Sequence, residues 1–240
     1  MKNLKYIILL VVFIALTLFL ILRKPVSAPI VETTQTGTAK ELCFAKFTPV
    51  NESGYGDKYT LRLVMDGTSA TGELKLLPAE KDSKVGKFSG TVGAVDKMMM
   101  ARTVNAIWDT LAEGMNTKEE LNIIFGEGTA DVGFGEMVDR GDGTYVYKDS
   151  KNISYQLGLS DVDCSELTIR ENVELYLRSN IATLSPVKAV LGGKWYVTSV
   201  SIDVAKKSGT VMYEDGHIQE KKNFSFTTDE KVSVTSLTIN

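Results

Sequence analysis

Residues 59–65 (YTLRLVM) alternate apolar and polar side chains, residues 66–69 (DGTS) supply an Asp-Gly turn, and residues 72–77 (GELKLL) return with the same alternation. A period of two on both sides of a short glycine turn is the pattern of a β-hairpin with one buried face. The sequence around it repeats the pattern. Residues 88–92, 102–108, 121–125 and 145–148 are further short runs of strand composition, with turn signals at 81–83, 114–117, 126–128 and 140–143. Many short strands at close spacing with glycine-rich turns predict an antiparallel barrel or sandwich over residues 41–165. Within it, residues 116–120 (NTKEE) read as one helical turn.

A second unit is expected over residues 166–240. Thr168-Ile169-Arg170-Glu171 fits a capping box, and Val173, Leu177, Ile181 and Leu184 recur on one helical face until Pro186 ends the helix. Residues 195–204 (WYVTSVSIDV) alternate as a strand. Residues 210–213 and 218–226 pair around the turn at 214–217, and 232–239 completes a meander. One helix on three or four antiparallel strands is a small α+β domain.

The N-terminus has a different character. Residues 7–22 (IILLVVFIALTLFLIL) are unbroken apolar sequence between Lys2 and Lys5 on one side and Arg23 and Lys24 on the other. The run is longer than the core of an ordinary signal peptide and approaches the ~20 residues that span a bilayer. A small-residue cleavage box at Val26-Ser27-Ala28 is followed by Pro29, which suits signal peptidase poorly. Residues 1–24 therefore read as a single transmembrane anchor, with the rest of the chain extracytoplasmic at the cell membrane. Residues 25–40 (PVSAPIVETTQTGTAK) lack hydrophobic periodicity and read as a linker.

With residues 1–24 set aside, 23 basic side chains face 30 acidic ones, a net of −7. No basic cluster compensates, so nucleic acid is not expected as a partner. Cys43 and Cys164 bracket the first unit, either as a disulfide joining its first and last strands or as two buried thiols. A bond closing a loop of that length is worth about 4–5 kcal/mol in the chain-entropy model. A metal pair is disfavoured, because His217 is the only histidine and no other cysteine exists.

Three stretches carry a resemblance. Residues 78–91 (PAEKDSKVGKFSGT), Ala112-Glu113-Gly114 and 133–137 (GFGEM) resemble a pattern in a family of uncharacterised bacterial exported proteins and lipoproteins. The resemblance implies a small lipocalin-like β-barrel and no activity. This chain lacks the lipidated cysteine of such proteins, so attachment rests on the apolar run alone.

Catalytic signatures are missing from the sequence. A nucleophilic triad needs a histidine, and His217 sits beside Asp215 and Gly216 in a turn. No phosphate loop, dinucleotide fingerprint or HExxH motif occurs. No cofactor is expected. Glu80, Asp82, Glu113 and Glu136 belong to the recurring pattern, and Glu80, Glu113 and Glu136 could form an acidic cluster for acid–base work or Ca²⁺ binding, but such turn acids usually cap amides or face water. Met98-Met99-Met100 could suggest soft-metal binding, and reads better as apolar side chains beside a strand or lining a barrel. Arg140-Gly141-Asp142 reads as a hairpin turn.

Three functions of different class remain. The first is a non-catalytic barrel binding a small apolar ligand, with Trp108, Phe88, Phe125, Phe134 and Met99 near its cavity. The second is an envelope protein-interaction module with a solid barrel and Trp195, Tyr196 and Tyr213 presented to a partner. The third, a carboxylate hydrolase, needs two of Glu80, Glu113 and Glu136 within about 5–10 Å in a cleft.

Overall fold

The computed structural model describes residues 39–51, 55–79 and 81–240, and Gly37–Asn240 forms one compact unit. The apolar run, nearly all of the 25–40 linker, and Glu80 lie outside the described residues. Among the described residues no helix is long and apolar enough to cross a membrane.

The fold is mainly β: a sheet of 11 strands, a 4-stranded antiparallel sheet and one long helix. The large sheet begins with β1 (Lys40–Phe47), β2 (Lys58–Asp66), β3 (Ser69–Leu77), β4 (Lys84–Val92), β5 (Arg102–Ala112) and β6 (Met115–Gly126), each antiparallel to the one before. β7 (Thr129–Phe134) pairs with β6 and also with β11 (Leu159–Val162), which pairs with β1. The ladder thus returns to its starting strand. Short strands β8 (Met137–Asp139), β9 (Thr144–Tyr147) and β10 (Ser154–Tyr155) attach beside β6 and β7.

Alternation drives this arrangement. Leu61, Leu63 and Met65 of β2, Val104, Ala106 and Trp108 of β5, and Leu121, Ile123 and Phe125 of β6 are all buried, each two residues from the next. They meet Phe44, Leu74, Phe88 and Val132 in one core. Gly72 marks one place where the packing is tight, since a Cβ there would fall 1.9 Å from the Arg62 carbonyl oxygen and 2.5 Å from the Phe88 ring.

The helix α1 (Cys164–Leu184) and the strands β12 (Tyr196–Asp203), β13 (Ser208–Glu214), β14 (Gln219–Thr228) and β15 (Val234–Ile239) form the C-terminal part. The strands pair in chain order, and Val173, Leu177 and Ile181 of α1 pack on Val211, Tyr213, Phe224 and Phe226 as a second core. Flanking residues of α1 meet the large sheet through ion pairs. Lys58 binds Glu174 at 2.9 Å, and Glu171 takes Arg62 at 3.2 Å and Lys75 at 2.6 Å. Cys43 on β1 is disulfide-bonded to Cys164, the first residue of α1, with their Cα atoms 5.2 Å apart.

Several local expectations are corrected. Residues 116–120 are not helical but part of β6, because register with β5 (Asn116 against Leu111, Glu119 against Trp108) overrides the helix-forming composition. The helix starts at Cys164, capped by Asp163, whose carboxylate accepts the Ser165 N–H at 2.7 Å. Thr168 instead donates to the Cys164 carbonyl at 2.8 Å, and Glu171 turns to β2 and β3. Gly133 and Phe134, whose glycine-rich composition reads as a turn or bulge, end β7, where a Cβ on Gly133 would fall 2.6 Å from the Ile153 side chain.

Candidate functional site

The strands of the large sheet have two ends, and one of them is hollow. A cavity of about 370 Å³ opens where β2 and β4 begin and β3 and β5 finish. Its apolar walls include Tyr59, Leu76, Trp108, Leu121, Val132 and Leu157. Charged groups complete the lining: Lys81, Asp82, Lys84, Glu119 and Glu120. The cavity exists because inward side chains of a closed ladder fill its middle but do not all reach across at its ends.

Trp108 joins the wall to the core. Its ring is 4 % exposed and lies opposite Phe88 across the β4–β5 ladder. The Lys84 ammonium stands 5.6 Å from the ring centroid while it holds both oxygens of Glu119, at 2.8 and 2.9 Å. Thr117 donates a further hydrogen bond to Glu119 at 3.1 Å. The Trp108 indole N–H is enclosed by protein and has no acceptor among the described residues. An unmet donor of this kind costs about 1–3 kcal/mol, so packing of the large ring outweighs it.

Tyr147 fixes one side of the opening. Its hydroxyl donates to the Gly133 carbonyl at 2.8 Å, and its backbone N–H donates to Glu120 at 2.9 Å. Burial pushes this phenol up to about 12, and the nearby Glu120 and Glu119 carboxylates add to the rise. Tyr147 therefore stays protonated at any physiological pH and acts as a structural donor.

The residues singled out in the sequence fall in different places. Trp108 and Phe134 line the cavity; Phe88 and Phe125 are buried in the core without lining it. Met99 is exposed, with Met98 and Met100, in the loop between β4 and β5 at the other end of the sheet. Glu113 sits in the tight β5–β6 turn, where a hydrogen bond with Asp82 and the charge of that second carboxylate hold it above the ordinary range. Glu136 is exposed and pairs with Lys148 at 2.8 Å. No nucleophile–base pair is assembled around the cavity among the described residues.

The aromatic residues of the C-terminal sheet are not one patch. Trp195 and Tyr213 are buried edge to face, 4.9 Å apart, and only Tyr196 is exposed. His217 is an exposed turn residue whose backbone N–H donates to Asp215, which also caps the amides of Ile218 and Val190. Among the described residues, the one close group of metal-type ligands, Glu41 with Cys43 and Cys164, has its sulfurs committed to the disulfide.

Glu119 and Glu120 are among the cavity residues that local sequence patterns do not mark as such. Their neighbours suggest a helix, and only the β5 partner strand reveals which of the two side chains shares a face with Trp108. Comparisons with protein-family models, with curated proteins and with solved structures find no match to this chain.

Proposed function

We propose that this chain is a non-catalytic binding protein in which the large sheet acts as a lipocalin-like barrel for one small apolar or amphipathic ligand. In this reading residues 7–22 hold it to a membrane, with the folded part on the extracytoplasmic side. The observation that carries the binding role is the cavity of about 370 Å³, apolar inside and charged at its mouth. Its apolar walls favour a hydrocarbon body. Lys84, Glu119 and Glu120 at the mouth suit a polar end group that stays near water.

Trp108 supplies the test because it lines the cavity and Trp195 is the only other tryptophan. In a Trp195→Phe background, decanol, decanoate and dodecylamine serve as neutral, anionic and cationic probes. The expected result is a saturable change in Trp108 emission with at least one of them, reduced when Leu76→Phe narrows the cavity. Indifference to all three, with the fold intact by circular dichroism, would leave a solid barrel and remove the binding role.

A further inference from the structure

The end of the large sheet opposite the cavity carries an apolar loop whose side chains are largely exposed. Between β4 and β5, Val95 is 54 %, Met98 96 %, Met99 57 % and Met100 57 % exposed. The loop is nonetheless firmly built. Asp96 accepts the N–H groups of Met98 at 2.8 Å and Met99 at 3.2 Å, its own N–H donates to the Ala101 carbonyl at 2.8 Å, and Gly93 bonds Thr103. Three methionines are thereby fixed at a tip instead of folding back onto the core.

Topology places this tip at the end where the preceding chain arrives. β1 starts at Lys40, which pairs with Met65 at the finish of β2. The β2–β3 turn follows directly, and Val92, the last residue of β4, donates to Thr68 in that turn. Arg102, the first residue of β5, donates to Gly93 and reaches the Met65 sulfur at 3.8 Å. The chain before Lys40 thus joins the sheet at the methionine end, and the apolar residues 7–22 precede it through a linker whose extended reach is at most about 58 Å.

We propose that the Val95–Met100 tip is a lipid contact, inserting shallowly into the membrane surface to which residues 7–22 attach the chain. The proposal rests on the anchoring reading above. Methionine suits the role, because its flexible, polarisable side chain adapts to a disordered acyl surface. The charges around the tip are mixed, with Lys97, Lys40 and Arg102 alongside Asp66 and Asp96, so the contact is apolar and needs no anionic lipid. It also turns the mouth of the cavity away from the bilayer, toward solutes of the extracytoplasmic space.

The experiment uses the full chain in phosphatidylcholine vesicles, with and without bromine on the acyl chains. Met98→Trp places a reporter at the tip, and Tyr145→Trp places one at the cavity end; Trp108 and Trp195 give both variants the same background. The added emission of Met98→Trp is expected to fall by about half in brominated vesicles, against about a tenth or less for Tyr145→Trp. Without any substitution, peroxide should oxidise Met98 several-fold more slowly than Met115, which is 62 % exposed at the cavity end. Equal quenching at the two positions, or equal oxidation, in a chain that floats with the vesicles overturns the lipid contact and leaves the anchor standing. Protection that grows with protein-to-lipid ratio assigns the tip to a second copy and overturns it as well. A chain that does not float overturns the anchor and the contact together.

Discussion

The N-terminal sheet buries its apolar face against itself, whereas the C-terminal sheet buries its own against α1. In the second case Val173, Leu177 and Ile181 descend onto Val211, Tyr213 and Phe224, and every one of these side chains is at most 2 % exposed. A helix laid on a sheet can settle until the space between them is gone. A ladder that closes on itself has no such freedom, because the diameter is set by strand number and tilt and only side-chain volume can fill it. Phe44, Phe88, Trp108 and Phe125 fill the middle, and the remaining space lies at one end. The cavity, and with it the proposed binding role, therefore belongs to the closed ladder, and stability to both cores.

The largest test of this contrast concerns what ties the two parts together. Replacing Cys43 and Cys164 by serine opens a loop of sequence separation 121. The chain-entropy model gives a loss of about 5 kcal/mol, read as a lower urea midpoint for both cores together. If only the C-terminal core loosens, the disulfide acts as a local clamp on α1 and not as a constraint on the whole chain.

Core truncation separates the two parts directly. Leu177→Ala, in the filled core, should cost about 3–4 kcal/mol, because no neighbour can collapse into the space left. Leu157→Ala, at the cavity wall, should cost about 2 kcal/mol or less, since part of its surface already faces space. Equal losses by chemical denaturation would mean that the cavity end is packed as firmly as the helix layer.

The ionic seam between the parts has a pH signature. Glu174, with its side chain 26 % exposed, loses by burial, but Lys58 and then Arg178 overcome that loss and hold its carboxyl below the ordinary glutamate value. A folded-state pKa below the unfolded one contributes stability at neutral pH, and that contribution disappears as pH falls through the folded value. Glu174→Gln should cost about 1 kcal/mol at pH 7 and flatten the acid limb of the stability curve. Thermal melts between neutral and acid pH, in low and high salt, decide it. An unchanged acid limb would assign the seam to packing.

The smallest effect is expected at the cavity mouth. Tyr147→Phe removes one hydrogen bond, to the Gly133 carbonyl, and should cost about 1 kcal/mol. It should also delete the phenol that ionises at about 12 from an ultraviolet titration. Loss of ligand response in this variant, with stability nearly unchanged, would show that β9 and β7 must be held together for the mouth to work.

Much of the fold was readable because it follows from patterns two or four residues long. The hairpin of β2 and β3, the helical face Val173-Leu177-Ile181 and the meander of β12 to β15 each advertise a buried face within their own sequence. β7 was unreadable because Gly133 and Gly135 look like turn residues. They are glycines for a different reason, the approach of Ile153 and Tyr147, which come from later in the chain. The same holds for Glu171. Its spacing from Thr168 suggests a local cap, and the salt bridges to Arg62 and Lys75 lie about a hundred positions away in sequence.

By itself the sequence determined the kinds of element, their rough order, the apolar character of residues 7–22 and the pairing partners available to two cysteines, because these depend on local periodicity and composition. Tertiary structure decided that the ladder returns to β1, that Phe88 fills the core while Trp108 also lines a cavity, and that the methionine run lies at the opposite end from that cavity. Those outcomes depend on register between distant strands. A side chain's face is set by its own strand, but its neighbours are set by a partner that the local sequence does not contain.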